Sequence, residues 1–418
     1  MKRIISLLLC MLMLFAALTG CSLSGNTLSA DSDLMSGVQP QVLTEATVSV
    51  SGENSIKPTD FAVRLFQSSL SADENTMISP VSVLYALSMT ANGAKGETLA
   101  QMEEVFGMSV DELNAYLKAY MDSLPEDKKY KLSIANSIWL SDDERFSVKQ
   151  SFLQTNADYY GADIFKVPFD NTALKNMNSW VERNTDGMIQ NILDKISSDA
   201  VMYLVNGMAF DAEWKEIYKD VQIHDGIFTA KDGTETDVEM MHSKEYLYLA
   251  DKSATGFIKP YADSKYAFVA LLPNEGISCS EYISAMTGES LASLLANPQQ
   301  ATVYAAIPKF ESEYRVEMSR ILSAMGMKNA FDEDTADFSN LGTSTAGNIF
   351  INRVIHKTLI TVDEKGTKAG AATVVGMTDG AAGIEDFKEV VLNRPFVYMI
   401  IDCEANLPLF IGAMMDMK

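Results

Sequence analysis

Apolar positions recur along this chain with helical and strand periods, in an order that does not alternate regularly. From Lys57 on, Phe61, Leu65, Phe66 and Leu70 share one helical face. Ser79 followed by Pro80 predicts a helix start, with a hydroxyl at the N-cap and proline at the first helical position. That helix is expected to reach Ala91 and stop near Gly93, and a second to run from Glu97 to about Phe106, ended by Gly107. The pattern gives strands over 131–140, 201–214 and 266–273, and helices over 147–160 and 281–295. A helical region also opens the stretch 178–189. Helices and strands mixed without βαβ alternation predict an α+β fold in one large domain.

One stretch departs from these patterns. A strand is expected over 350–364, followed by the run from Lys365 to Gly376, rich in glycine and alanine. Such a run is ordinarily a linker or a turn. Here the alternate residues Thr367, Ala369, Ala371, Thr373, Val375 and Met377 are all small or apolar, and an extended chain puts them on one face. The other face carries Lys368, Gly370, Ala372, Val374 and Gly376. This is a half-buried strand pattern in residues too small to hold a strand unaided. It fits a segment that is a loop in one state and a strand in another.

The motifs around it are specific. His356-Lys357, then Asp363-Glu364-Lys365-Gly366-Thr367, then alanines, then Asn393-Arg394-Pro395-Phe396, resemble the hinge and reactive-centre loop of a serpin. Asn75-Thr76-Met77-Ile78-Ser79-Pro80, Asn136-Ser137-Ile138-Trp139-Leu140, Val205-Asn206 with Trp214, Ile307-Pro308-Lys309-Phe310 and Pro408-Leu409-Phe410-Ile411-Gly412 resemble serpin segments in the same order. The resemblance implies a serpin domain over 56–418. Its expected features are a five-stranded main sheet, two further β-sheets, eight or nine helices and an exposed loop.

The resemblance also implies roles for residues. Glu364, Gly366, Thr367, Ala369, Ala371 and Ala372 would form the hinge. Ser79, Ser82, Asn206 and His356 would form a buried polar cluster under the main sheet, and Lys309 would pair with Glu364 at the top of it, near Trp214. A protease would cleave the exposed loop, and the freed segment would enter the main sheet as a new strand while the enzyme is held covalently. Backbone hydrogen bonds of roughly 1 kcal/mol each, with apolar burial, put the gain on the order of ten kcal/mol. Counting about fourteen residues from Gly366, the family's usual loop length, places the cleaved bond at Gly380–Ala381. The window around it holds Met377, Thr378, Asp379 and Ala382. Nothing there is basic, so elastase-like or subtilisin-like serine proteases are the expected partners, with papain-like cysteine proteases as a further class. The chain is expected to act as a monomer.

Composition and charge add an address. Lys2-Arg3, an apolar run and then Leu18-Thr19-Gly20-Cys21 make residues 1–21 resemble a bacterial lipoprotein signal, with Cys21 the lipidated residue. The alternative is an ordinary secretory signal. Residues 22–55, rich in Ser, Thr, Gly, Asp and Asn, are expected to be a flexible tether. The protein would then be exported and held on the outer side of a bacterial membrane, or extracellular if shed. The formal net charge of −23 argues against nucleic-acid binding. Cys279 and Cys403 form no disulfide framework or metal spacing and are expected to be buried free thiols, with a single bridge between them as the alternative. Only three histidines occur, without any hydrolase, metalloprotease or nucleotide-binding motif. No cofactor, no metal and no catalytic activity are expected. Two other classes remain open: a non-inhibitory serpin-like binding protein, which would not need so small and uncharged a hinge, and a hydrolase, which lacks a catalytic constellation.

Overall fold

The computed structural model describes residues 32–43, 48–71, 74–124, 130–262, 264–367 and 387–417. Nine α-helices occur among the described residues. They are α1 Ile56–Ser69, α2 Pro80–Ala91, α3 Gly96–Phe106, α4 Val110–Asp122, α5 Gln150–Tyr160, α6 Asn171–Asn184, α7 Cys279–Ala285, α8 Gly288–Ala296 and α9 Ser319–Met325. The first strands are β1 Thr76–Ile78, β2 Tyr130–Ser141, β3 Phe146–Val148, β4 Asp163–Val167, β5 Met202–Glu213, β6 Ile223–Thr229, β7 Glu235–Ala250, β8 Ala254–Pro260 and β9 Tyr266–Pro273. After α8 come β10 Gln299–Pro308, β11 Phe310–Glu317, β12 Gly342–Ser344, β13 Arg353–Val362, β14 Gly366–Thr367, β15 Phe387–Val391, β16 Phe396–Asp402 and β17 Leu407–Met414.

Three sheets result. The largest has the order β1-β17-β16-β9-β8-β7-β10-β15, with β6 added on β7; a two-stranded ribbon joins β12 to β3. The sheet that positions the site runs β11-β13-β14-β5-β2-β4. It therefore holds the five strands expected and a two-residue sixth. β13 and β5 pair directly and in parallel from Arg353↔Tyr203 to Leu359↔Ala209. Beyond that point they part, and β14 lies between them, antiparallel to both, through Val362↔Thr367, Gly366↔Glu213 and Thr367↔Ala212.

α2 follows from its ends as read: Ser79 caps it by accepting from Ser82 N–H, Pro80 is its first residue, and all twelve residues are buried. Under the main sheet, alternate residues of β5 divide two cores. Met208, Phe210 and Ala212 face the core shared with β9, β16 and β17. Tyr203 and Val205 face the opposite way, onto Met177, Trp180 and Val181 of α6.

Three expectations change. The helix expected over 281–295 is two helices. Thr287 caps α8 through Ser290, and Gly288 lies so close to α1 that an added Cβ would sit 2.4 Å from Asp60 Cα. The helix expected from 147 starts at Gln150, because Phe146–Val148 pairs with β12 instead. The stretch 22–55, expected as a free tether, is held to the domain in much of its described part. Leu34 N–H donates to Ile164 O at 2.9 Å, Asp33 bridges to Phe165, and Leu34, Met35, Val38 and Val50 pack on the core. These few apolar residues sit in a polar background, and their burial outweighs the average composition. Residues 1–21, including Cys21, lie outside the described residues.

Candidate functional site

The site begins with the polar residues that β13, β5 and α2 bring into a dry interior. His356, Asn206, Ser79 and Ser82 are all fully buried. His356 and Asn206 are neighbours in the parallel register of β13 and β5, and both face the start of α2. Ser79 N–H donates to His356 Nε2 at 3.0 Å. Nε2 is therefore an acceptor, the proton sits on Nδ1, and Nδ1 donates to Asn206 Oδ1. The Asn206 amide donates onward to Ser82 O at 2.6 Å, to Ser82 Oγ at 2.5 Å and to Asn136 Oδ1. In the sequence Asn136 stands only within a strand motif. Its role follows from β2 pairing Asn136 opposite Asn206, which the sequence order alone does not reveal.

Burial keeps the imidazole of this cluster neutral. Burial pulls the His356 imidazole from about 6.5 down to about 3. The folded-state value lies below the unfolded one, so above about pH 6.5 the group is neutral in both states and contributes no pH dependence. Between about pH 6.5 and about pH 3 only the unfolded chain takes up the proton, and stability falls by about 1.4 kcal/mol per pH unit. In His356→Asn the slope of unfolding free energy against pH is expected to flatten by about that amount between pH 4 and 6. Denaturant melts across that window check it, and an unchanged slope would contradict the buried neutral imidazole.

The upper end of the main sheet holds the start of the loop. Trp214 N–H donates to Lys365 O and Tyr218 N–H to Glu364 O, both at 2.9 Å, and Trp214 Nε1 donates to Asp363 O at 2.8 Å. Lys309 Nζ lies 3.1 Å from Glu364 and 3.3 Å from Glu239. The Glu364 carboxyl is held below its usual range by its own backbone amide and by Lys309. This pair is partly open to water and contributes little on its own. Thr367 is fully buried, with its hydroxyl 2.6 Å from Tyr261 OH, and Tyr261 stacks on Trp214 at 4.6 Å between centroids. At Gly366 an added Cβ would sit 2.1 Å from Ala212 O, so only glycine lets the chain lie this close to β5.

Sequence reading missed what supports this wall. Lys259 and Glu245 form a buried ion pair at 2.9 Å, with side-chain exposures of 2% and 8%. Lys259 Nζ lies over the rings of Tyr218 at 4.5 Å and Trp214 at 5.3 Å. Burial alone would lower the lysine, but Tyr218 and Glu245 outweigh it and hold the ammonium above its ordinary range. Ser243 Oγ donates to Glu245 at 2.7 Å and lies 3.2 Å from Tyr218 OH. Lysine and glutamate 14 positions apart on different strands leave no local signal of this pairing.

The predicted residues thus fall into two places. Ser79, Ser82, Asn206 and His356 come together beneath the sheet; Trp214, Lys309, Glu364, Gly366 and Thr367 come together at its upper end. Ala369, Ala371 and Ala372 lie outside the described residues, as do Gly380, Ala381, Met377, Thr378, Asp379 and Ala382. Neither Cys279 nor Cys403 forms a disulfide, and Cys279 is buried. No group of three metal-ligating side chains occurs among the described residues, and no described helix is long and apolar enough to cross a membrane.

Residues 57–417 match the family model described as Serpin (serine protease inhibitor). Human Serpin B13 is 30% identical over 370 residues, covering 81% of this chain and 93% of that protein. The crystal structure of Tengpin, a thermophilic serpin, in its native state has a TM-score of 0.87 at 47% identity, covering 92% of this chain and 99% of that one. The same protein in its latent state gives a TM-score of 0.78 at 44% identity, covering 89% and 100%. The arrangement seen here is nearer the native form. With the family match spanning nearly the whole described domain, the chain belongs to the serpin family of serine protease inhibitors.

Proposed function

We propose that this protein is a suicide-substrate inhibitor, held on the outer face of a bacterial membrane by a lipid on Cys21, whose targets are elastase-like or subtilisin-like serine proteases. Papain-like cysteine proteases are a second target class. The observation that carries this reading is β14. Two residues of the loop already lie between β13 and β5, and the strands below them are still paired.

Continuing that register downward defines the inserted state. Ala369 would meet Phe210 and Ile360, Ala371 would meet Met208 and Thr358, and Thr373 would meet Asn206 and His356. Each of these faces the same core as Thr367. The new strand must break the His356–Asn206 bond, and the Thr373 hydroxyl would arrive where both partners need a replacement. A buried polar cluster with two satisfied arrangements suits a sheet that opens.

In this mechanism the protease nucleophile attacks the carbonyl of Gly380 and forms an acyl-enzyme, releasing the chain from Ala381 onward. The tethered enzyme is then carried along as the loop enters the sheet. The test is to mix residues 22–418 separately with elastase, subtilisin and trypsin, and to run denaturing gels. Elastase or subtilisin is expected to give a band at the summed mass, with a released fragment starting within 378–382. Cleavage in the loop with no such band for any protease would overturn the inhibitory reading.

A further inference from the structure

Two of the three histidines in the chain stand side by side on its surface. His224 lies on β6 and His242 on β7, strands that pair antiparallel from Ile223↔Met241 to Thr229↔Glu235. His224 is opposite Met240, so His242, two positions on, is its diagonal neighbour on the same face. Both residues are exposed. Their rings lie 5.3 Å apart between centroids, at 52° to each other. No hydrogen bond or ion pair within the described residues engages either ring. The third histidine, His356, is fully buried and committed to Ser79 and Asn206.

The surroundings narrow what this pair can hold. Asp225 and Glu239 are opposite each other one position along, and strand alternation turns them to the other face, where Glu239 meets Lys309. Lys244 shares the face of His242 but is turned onto the Tyr304 ring. Met240 packs over Gly226, where an added Cβ would meet it at 2.5 Å. On β10, His242 is opposite Ala306. Burial, and then His224, hold the His242 imidazole below its ordinary range, so the neutral ring that a metal requires persists to lower pH. Ca²⁺ and Mg²⁺ need oxygen ligands, whereas neutral imidazole suits Zn²⁺.

The ring separation then selects a geometry. With Zn–N bonds of about 2.0–2.1 Å, each imidazole centroid lies about 3.2 Å from the metal, and at the tetrahedral angle two such centroids lie about 5.2 Å apart. At a right angle, as in a square-planar site, the same bonds would need about 4.5 Å. The observed 5.3 Å matches the tetrahedral arrangement. Paired strands fix both backbones, so little order has to be gained on binding.

We propose that His224 and His242 form a two-histidine surface site for Zn²⁺. Among the described residues no third His, Cys, Asp or Glu completes a set of protein ligands, so the other two positions are open to water or to a donor on another molecule. The site would clip β6, which joins the sheet through β7 alone among the described strands. It does not depend on the inhibitory reading above.

The test is a calorimetric titration of Zn²⁺ into the purified protein, without a histidine tag, alongside His224→Gln and His242→Gln. One site per chain is expected at about pH 7.5, with affinity falling at least about tenfold by about pH 5.5 as the imidazoles take up protons. Each single variant should lose at least about tenfold in affinity, because one imidazole lacks the advantage of the second arm. Both variants should melt as wild type does in the absence of metal, and Mg²⁺ should not bind. In wild-type protein labelled with ¹³C-histidine, Zn²⁺ should move two of the three ring signals and leave the third in place. Unchanged affinity in either single variant, a change at only one ring, or no binding at about 1 mM Zn²⁺ would overturn the proposal.

Discussion

Thr367→Arg is expected to turn the inhibitor into a substrate. Thr367 is the last residue of β14, fully buried between β13 and β5, with its hydroxyl 2.6 Å from Tyr261 OH. Phe210, Trp214, Tyr261 and Ile360 lie in the apolar core on that side of the sheet. A guanidinium there would enter this apolar core, and burying it unpaired costs several kcal/mol. The arginine will stay outside and take Gly366 out of the sheet with it. Cleavage of the loop should be untouched, because the proposed bond Gly380–Ala381 is about thirteen residues away. Hydrolysis of the acyl-enzyme then wins over insertion. On denaturing gels with a protease that the wild type traps, the variant should yield cleaved protein and free enzyme, with covalent complex reduced at least about tenfold. Undiminished trapping would show that insertion does not begin at Thr367.

The second large effect concerns the ion pair behind Trp214. Lys259→Met leaves the Glu245 carboxylate almost fully buried without its cation, and is expected to cost about 3–5 kcal/mol of stability. Removing both charges in Lys259→Met/Glu245→Leu should recover most of that, to within about 1 kcal/mol of wild type, because an apolar pair of similar volume has no desolvation cost. Denaturant melts of the two single variants and the double variant measure the coupling. A strictly additive result would mean that the pair does not act as a unit. The single variant also loosens Trp214 and Tyr218, which hold the backbone of 363–365, so its loop should insert faster without cleavage.

The need for glycine at position 366 is local, because a Cβ there would meet Ala212 O of the neighbouring strand. The helix starts at Ser79-Pro80 and the stop at Gly107 were legible for the same reason, since caps are written in a few adjacent residues. What the sequence concealed depends on register between distant strands. Asn136 meets Asn206 only because β2 pairs with β5 in one register, and Lys259 meets Glu245 only through the pairing of β7 with β8. The break between α7 and α8 needed knowledge of α1 pressing on Gly288. The docking of Leu34, Met35 and Val38 was hidden by the polar residues around them. The family resemblance supplied what local patterns could not, because it implied that Ser79, Ser82, Asn206 and His356 form one cluster, and their hydrogen bonds join them.

The central claim is that the loop enters the main sheet as a full strand and leaves the protein more stable than before. The most direct measurement is the melting temperature before and after cleavage of the loop by a protease that is not trapped. An entropy of unfolding of about 2 cal/mol/K per residue, over a domain spanning 57–417, makes a gain of about ten kcal/mol worth about 13 °C. A rise of about 10 °C or more is the predicted result. A melting temperature that stays the same or falls on cleavage would mean that the loop does not insert, and would contradict the account.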